Sequence, residues 1–214
     1  MSDTTGSRRP YRATTERERL LEALIRVTAE RGYAATTPAD VVAAAGLEED
    51  AFERHFASKE DCFLAAYDAV SDVVVAHVSS AYEESAGRPW PQRVVAGLRA
   101  LVELLAAEAE ITRLAMIDVT SFGEDARIRY RAALERFVPL LEDGRDEPSV
   151  DGPLPDGTAQ FAIGGAAAMI FDELRAGRGP ELPAILPELT FAVLMPYLGA
   201  AAAEAEMERV ASEP

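Results

Sequence analysis

Apolar residues recur at helical spacing along almost the whole chain. Between residues 15 and 31, Leu20, Leu21, Leu24, Ile25 and Val27 follow the 3.6-residue period, which predicts a first helix closed by Gly32. Thr37 before Pro38 has the chemistry of an N-cap followed by a first-turn proline, so a short helix is expected over residues 38–45, stopped by Gly46. Leu47 returns to the interior, and a second short helix is expected from about residue 48 to residue 55. Two short helices about a glycine-containing turn make a helix-turn-helix unit.

Ser58 caps the next predicted helix, with Glu60 and Asp61 in its first turn favouring the helix dipole. Phe63, Leu64, Tyr67, Val70, Val74 and Val78 carry it to about residue 85, where Gly87-Arg88-Pro89 interrupts the pattern. Further helices are expected at 91–107, 110–121 and 125–142. Residues 143–157 hold three Pro, three Gly and four Asp, and read as the one long loop. Asp156 or Thr158 is expected to cap a helix running to about residue 176. A last helix is expected from about 183 to 209, kinked at Pro196. No stretch of any length alternates with a period of two. The expected fold is all-α.

Composition adds boundaries. Hydrophobic residues make up 49% and charged residues 27% of the 214, which fits a folded chain with a sizeable core. The single cysteine, Cys62, excludes an internal disulfide framework and suits a reducing compartment. Arg8, Arg9 and Arg12 precede no apolar stretch, so no signal peptide is expected. The uncharged run at residues 189–203 contains Pro196 and Gly199 and falls short of the roughly 20 apolar residues of a span. A buried helix is expected there, and with it a cytoplasmic protein that does not enter a membrane.

The net charge of −16 is unevenly spread. Residues 8–31 hold seven Arg against four Glu, whereas residues 48–61 hold six acidic residues against Arg54 and Lys59. Nucleic-acid binding draws on local cations rather than on the whole-chain charge. The distribution therefore supports a basic arm at residues 1–13 and weakens the segment behind the first helix.

Between residues 19 and 64 the spacing of several groups resembles the TetR family of transcriptional regulators. They are Arg19-Leu20-Leu21, Ala23-Leu24, Gly32-Tyr33, Thr36-Thr37, Asp40-Val41-Val42, Ala45-Gly46-Leu47, Phe52, His55-Phe56, Ser58-Lys59-Glu60 and Phe63-Leu64. The resemblance implies an N-terminal three-helix domain with a helix-turn-helix (residues 14–57) and a C-terminal helical ligand-binding and dimerisation domain (residues 58–214). It implies a homodimer that binds operator DNA and a small-molecule effector, most simply a repressor released by an apolar ligand. The pattern departs from the family at two places: Glu48 stands where Ser or Thr is usual, and Glu53 where Tyr is usual.

The expected DNA-facing set is Thr36, Thr37, Glu48, Glu49, Asp50, Ala51, Glu53, Arg54, His55 and Lys59, with Arg12 reaching from the arm. Thr37 offers a hydroxyl and helix amides to a phosphate, and Arg54, His55 and Lys59 are the nearest basic groups. Each of these readings has a plainer alternative, a helix cap for Thr37 and a solvated face for Arg54. The carboxylates repel phosphates, although one can accept a hydrogen bond from cytosine N4. They motivate a second function class, an effector-binding or interaction module on the same scaffold with weakened or lost DNA binding.

For the effector, Tyr67, Trp90, Met116, Thr120 and Phe122, with Tyr130, Phe137, Phe161 and Met169, combine apolar bulk with a few polar handles. Ordinary core packing is the competing reading for each. For the dimer, residues 161–174 carry small side chains, Gly165 and Ala168 among them, beside Phe161. Phe191, Leu194, Met195 and Leu198 recur at i, i+3, i+4 and i+7 on the last helix, and two such helices per subunit would make a two-fold four-helix interface. Two His and one Cys have no metal-ligand spacing, and no nucleophile–base pair or phosphate loop is present. No metal, no cofactor and no enzymatic activity are expected.

Overall fold

Thr15 starts the first helix by accepting from the Glu18 amide (3.2 Å) while Glu18 reaches back to the Thr15 amide (3.0 Å). The computed structural model describes residues 15–109, 112, 116, 123–146 and 153–213. In it the chain divides into an N-terminal unit ending at Ala66 and a C-terminal unit from Tyr67 onward.

In the N-terminal unit, α1 (Glu16–Arg31) buries Leu20, Leu21, Leu24 and Val27 on one face. A second reciprocal cap, Thr37 with Asp40, opens α2 (Pro38–Ala45), and Pro38 occupies the first turn, where its missing amide is harmless. Gly46 ends α2 in the left-handed region (φ 64°, ψ 42°), which a side chain would disfavour. The last carbonyls of α2 are satisfied from α1: Arg19 donates to Ala45 (2.5 Å) and Gly46 (3.0 Å), and Arg26 to Ala44 (2.6 Å). Two arginines thus dock α1 against the turn, which is where a helix C-terminus favours cations. Helix α3 (Ala51–His55) follows, with Ala51 and Phe52 buried. Ser58 then caps α4 (Lys59–Glu84) by accepting from the Asp61 amide (3.0 Å).

Helix α3 is shorter than the sequence predicts. Glu48–Asp50 form a turn, closed by the Ala51 amide donating to Glu48 (3.0 Å). Asp50 does not cap α3 with its side chain, because its carboxylate binds Arg54 instead (2.5 Å).

The C-terminal unit gathers the rest of α4 with α5 (Trp90–Ala107), α6 (Glu124–Glu135), α7 (Val138–Glu142), α8 (Thr158–Arg175), α9 (Leu186–Leu198) and α10 (Ala200–Ala211). Its core runs through Tyr82, Trp90, Val102, Ile170, Leu189, Leu194 and Tyr197. Trp90 donates to the Leu140 carbonyl (3.1 Å) and packs its ring at a tilt against Tyr197, 4.9 Å between centres. On the outside, Asp68 and Asp72 of α4 form ion pairs with Arg129 and Arg136, the second at 2.7 Å.

Four expectations differ from the fold. The helix expected over 125–142 breaks at Arg136–Phe137. Pro139 has no amide to give the Glu135 carbonyl, and the chain tightens through bonds such as Phe137 to Leu134 (3.1 Å). The expected loop begins with a 3-10 turn (Asp143–Asp146), from which Arg145 donates to Leu154 (3.0 Å) and Pro155 (3.3 Å). Neither Asp156 nor Thr158 caps α8 with its side chain; the Thr158 hydroxyl donates to Pro155 instead (2.7 Å). The expected last helix is a 3-10 stretch (Gly179–Ile185), α9 and α10. Its break falls at Gly199 (φ 75°, ψ 166°), while Pro196 lies inside α9. The helix expected over 110–121 lies outside the described residues except at Thr112 and Met116.

Among the described residues two stretches, Lys59–Glu84 and Gly179–Leu198, are long and apolar enough to cross a bilayer by length and composition. In the fold both send apolar side chains into the protein's own core, Phe63 and Val78 from the first, Leu189 and Leu194 from the second.

Candidate nucleic-acid interface

The helix-turn-helix is built so that α1 braces α3. Ala51 and Phe52 anchor α3 inward, so its outward residues are Glu53, Arg54 and the half-buried His55. Glu16, in the first turn of α1, accepts from both Arg54 (3.2 Å) and His55 (3.1 Å). The His55 and Arg54 contacts hold its carboxyl below the ordinary range. Behind the helix, the Arg17 guanidinium lies 5.2 Å from the centre of the Phe56 ring.

Lys59, expected at a phosphate, is turned inward. Its ammonium donates to the carbonyls of Tyr33 (2.8 Å) and Thr36 (2.7 Å) and sits 4.1 Å from the centre of the Tyr33 ring. Thr36 is buried, its hydroxyl donating to the Gly32 carbonyl (3.0 Å), and Ala51 is fully buried. These two side chains therefore do not face a nucleic acid. Thr37 is exposed at the start of α2, but its hydroxyl is already the cap, and the Thr37 bonds hold the Asp40 carboxyl down. Glu48, Glu49, Asp50 and Glu53 are all exposed. Arg12 lies outside the described residues.

The model for "Bacterial regulatory proteins, tetR family" matches residues 20–66, the unit just described. Residues 20–66 are thus similar to the N-terminal, DNA-binding domain of the TetR family. An uncharacterized HTH-type transcriptional regulator of Bacillus subtilis (strain 168), YerO, is 32% identical over 80 residues, 37% of this chain. That match spans 27% of YerO, so the chain covers about a quarter of the length of this curated relative. Among solved structures, the fatty acid degradation regulator FadR of Bacillus halodurans superposes with a TM-score of 0.74 at 16% identity, over 86% of this chain and 97% of that one. FadR of Bacillus subtilis, in complex with stearoyl-CoA, gives 0.69 at 14% identity, over 85% and 97%. At such identities the likeness to the FadR structures is one of fold.

Among the described residues, the expected effector side chains do not form one set. Trp90 is core, committed to Leu140 and Tyr197. Phe161 is 70% exposed and does not point inward. Tyr67 is buried, which pushes its phenol up to about 12, and Tyr130 is half-buried with its phenol raised for the same reason. Met116 and Met169 pack partly buried on the core, and Phe137 is half-buried. Thr120 and Phe122 lie outside the described residues.

The expected dimer residues divide by face. Phe161, Gly165 and Ala168 are exposed on α8, and nothing lies within 4 Å of where a Gly165 Cβ would stand. On α9 Met195 is 39% exposed and Phe191 is half-buried. Leu194 and Leu198 are buried in the chain's own core, so the i, i+3, i+4, i+7 series mixes two faces of α9. Cys62 is also core: it is fully buried and its thiol is pushed up to about 12 by desolvation, which makes it unreactive at neutral pH.

Sequence reasoning missed Glu16 and Arg19, the two α1 side chains that orient the helix-turn-helix. Arg19 held only a place in the family spacing, and Glu16 lay outside it. Their partners become visible in the fold alone.

Proposed function

We propose that the chain is a dimeric, DNA-binding transcriptional regulator whose C-terminal unit answers to a small apolar effector. The observation that carries this reading is the α2–turn–α3 unit, capped at Thr37, turned at Gly46 and braced by α1. Such a unit presents its second helix to a major groove, and a dimer spaces two of them about one helical turn apart. The exposed Phe161 and Met195, beside the open backbone at Gly164 and Gly165, support a second copy of the chain as the dimer partner.

The effector would act by population shift, favouring the dimer whose two α3 helices no longer match the half-site spacing. A differential affinity of about 3 kcal/mol changes operator binding roughly a hundredfold. The half-buried methionines and aromatics of the C-terminal unit suit an apolar chain. The fold shared with a stearoyl-CoA-bound FadR makes long-chain acyl-CoA the first probe to try.

The test is selection of genomic DNA fragments by the purified protein, then titration of the winner with salt and with acyl-CoA. One palindromic site with affinity falling steeply as salt rises is the expected result. No selected site at low salt overturns the reading.

A second reading has its own support. The exposed groups around α3 are mostly carboxylates, and Arg54, His55 and Lys59 are occupied inside the unit. On this reading the scaffold binds an effector or a partner without reading DNA. Glu53→Tyr would then create DNA binding that the unaltered protein lacks.

A further inference from the structure

Helix α3 is five residues long, and four of them are accounted for. Ala51 and Phe52 fill the core of the N-terminal unit. Arg54 is held between Asp50 (2.5 Å) and Glu16 (3.2 Å), and His55 also lies on Glu16 (3.1 Å). Glu53 remains: it is exposed, and no described residue pairs with it.

An ionised carboxylate only accepts hydrogen bonds. In the major groove guanine presents acceptors at N7 and O6, and thymine an acceptor and a methyl group. Adenine sets a donor beside an acceptor, the pattern an amide side chain matches. Cytosine alone offers a donor, its N4 amino group, without a neighbouring acceptor. A carboxylate near phosphates is otherwise unfavourable, so at this position attraction to one base comes with repulsion from the rest. That combination yields specificity more than affinity.

We propose that Glu53 is the specificity-determining residue of α3 and accepts a hydrogen bond from the N4 amino group of a cytosine in each half-site. The proposal rests on the DNA-binding reading above. It deepens that reading by naming the base and the atom.

The experiment has two stages and uses the full-length protein. Random-sequence selection is run on the unaltered chain, Glu53→Gln and Glu53→Ala, whose thermal unfolding should match because Glu53 is exposed and unpartnered. The unaltered chain should prefer cytosine at one position per half-site by about fivefold to tenfold, the low end for a single base contact. Glu53→Gln should move that preference to adenine, and Glu53→Ala should erase it while tightening binding to non-specific DNA. In the second stage the cytosine is replaced by 2-pyrimidinone, which lacks the N4 amino group. The replacement should cost the unaltered chain the same fivefold to tenfold and Glu53→Ala nothing, as a double-mutant cycle requires for a direct contact.

An identical base preference in the unaltered chain and Glu53→Ala overturns the proposal and leaves DNA binding standing. Failure of the unaltered chain to select any site at low salt overturns both.

Discussion

Replacing Lys59 with methionine separates two roles that a lysine beside a helix-turn-helix can have. The stem is kept and only the ammonium is lost. In the structure that ammonium makes two charge-assisted hydrogen bonds, to Tyr33 (2.8 Å) and Thr36 (2.7 Å), and a cation–π contact at 4.1 Å. Hydrogen bonds to charged groups are worth about 1.5–3 kcal/mol each, and a cation–π contact about 0.5–2 kcal/mol. One ammonium makes all three contacts, so they are not additive, and burying part of the charge offsets some of the gain. The net loss for Lys59→Met should be about 2–4 kcal/mol. At roughly 2–4 °C per kcal/mol for a chain of this size, the unfolding midpoint should fall by about 4–16 °C. The assay is thermal unfolding followed by the helical signal, paired with operator affinity measured against salt on folded protein. A brace predicts lower stability and an unchanged salt slope. If stability stays within about 0.5 kcal/mol and the slope drops by about 0.9, the amount one phosphate contact contributes, the reasoning is refuted.

Three further outcomes follow from the same structure. A Cβ at Gly144 would stand 2.3 Å from the Trp90 ring, which Leu140 and Tyr197 already fix, so Gly144→Ala should destabilise by about 1–3 kcal/mol in urea unfolding; an unchanged midpoint would show that Trp90 can move. Phe161→Glu should halve the mass seen by sedimentation with little loss of fold. Leu194→Ala should instead cost about 2–5 kcal/mol of stability, and the reverse pattern would reassign the two faces. Glu16, whose folded pKa is lowered by His55 and Arg54, contributes stability above its unfolded value of about 4.3 and loses it as pH falls through the lower folded value. The midpoint gap between the unaltered chain and Glu16→Gln should therefore be full near neutral pH and narrow as pH falls below the ordinary carboxylate range, and a gap independent of pH would remove the Glu16 carboxylate from the account.

Local chemistry made much of the fold legible. Thr37, Pro38 and Asp40 complete a cap within four positions, so the start of α2 can be read without knowing any neighbour. Gly46 does the same for the turn. The breaks that went unread were equally local but needed a choice between competing signals. Pro139 divides α6 from α7 because a helix interior needs its amide, whereas Pro196 is carried inside α9 by a segment whose Val193, Leu194 and Tyr197 are buried. Packing decides which proline a helix survives, and packing is not written in the local pattern.

The candidate interface was harder to read for a related reason. A cation near a groove looks free in the sequence until its internal partners are known, and those partners are distant: Glu16 lies 38 residues from Arg54, and Tyr33 lies 26 from Lys59. Once the fold assigns these pairs, the three basic side chains expected on phosphates become parts of the frame. The exposed charges that remain on the turn and α3 are Glu48, Glu49, Asp50 and Glu53. Function then turns on a carboxylate. If Glu53 meets a donor in the groove, the acidic helix is a device for choosing among sequences; if it meets none, the same charge keeps DNA away.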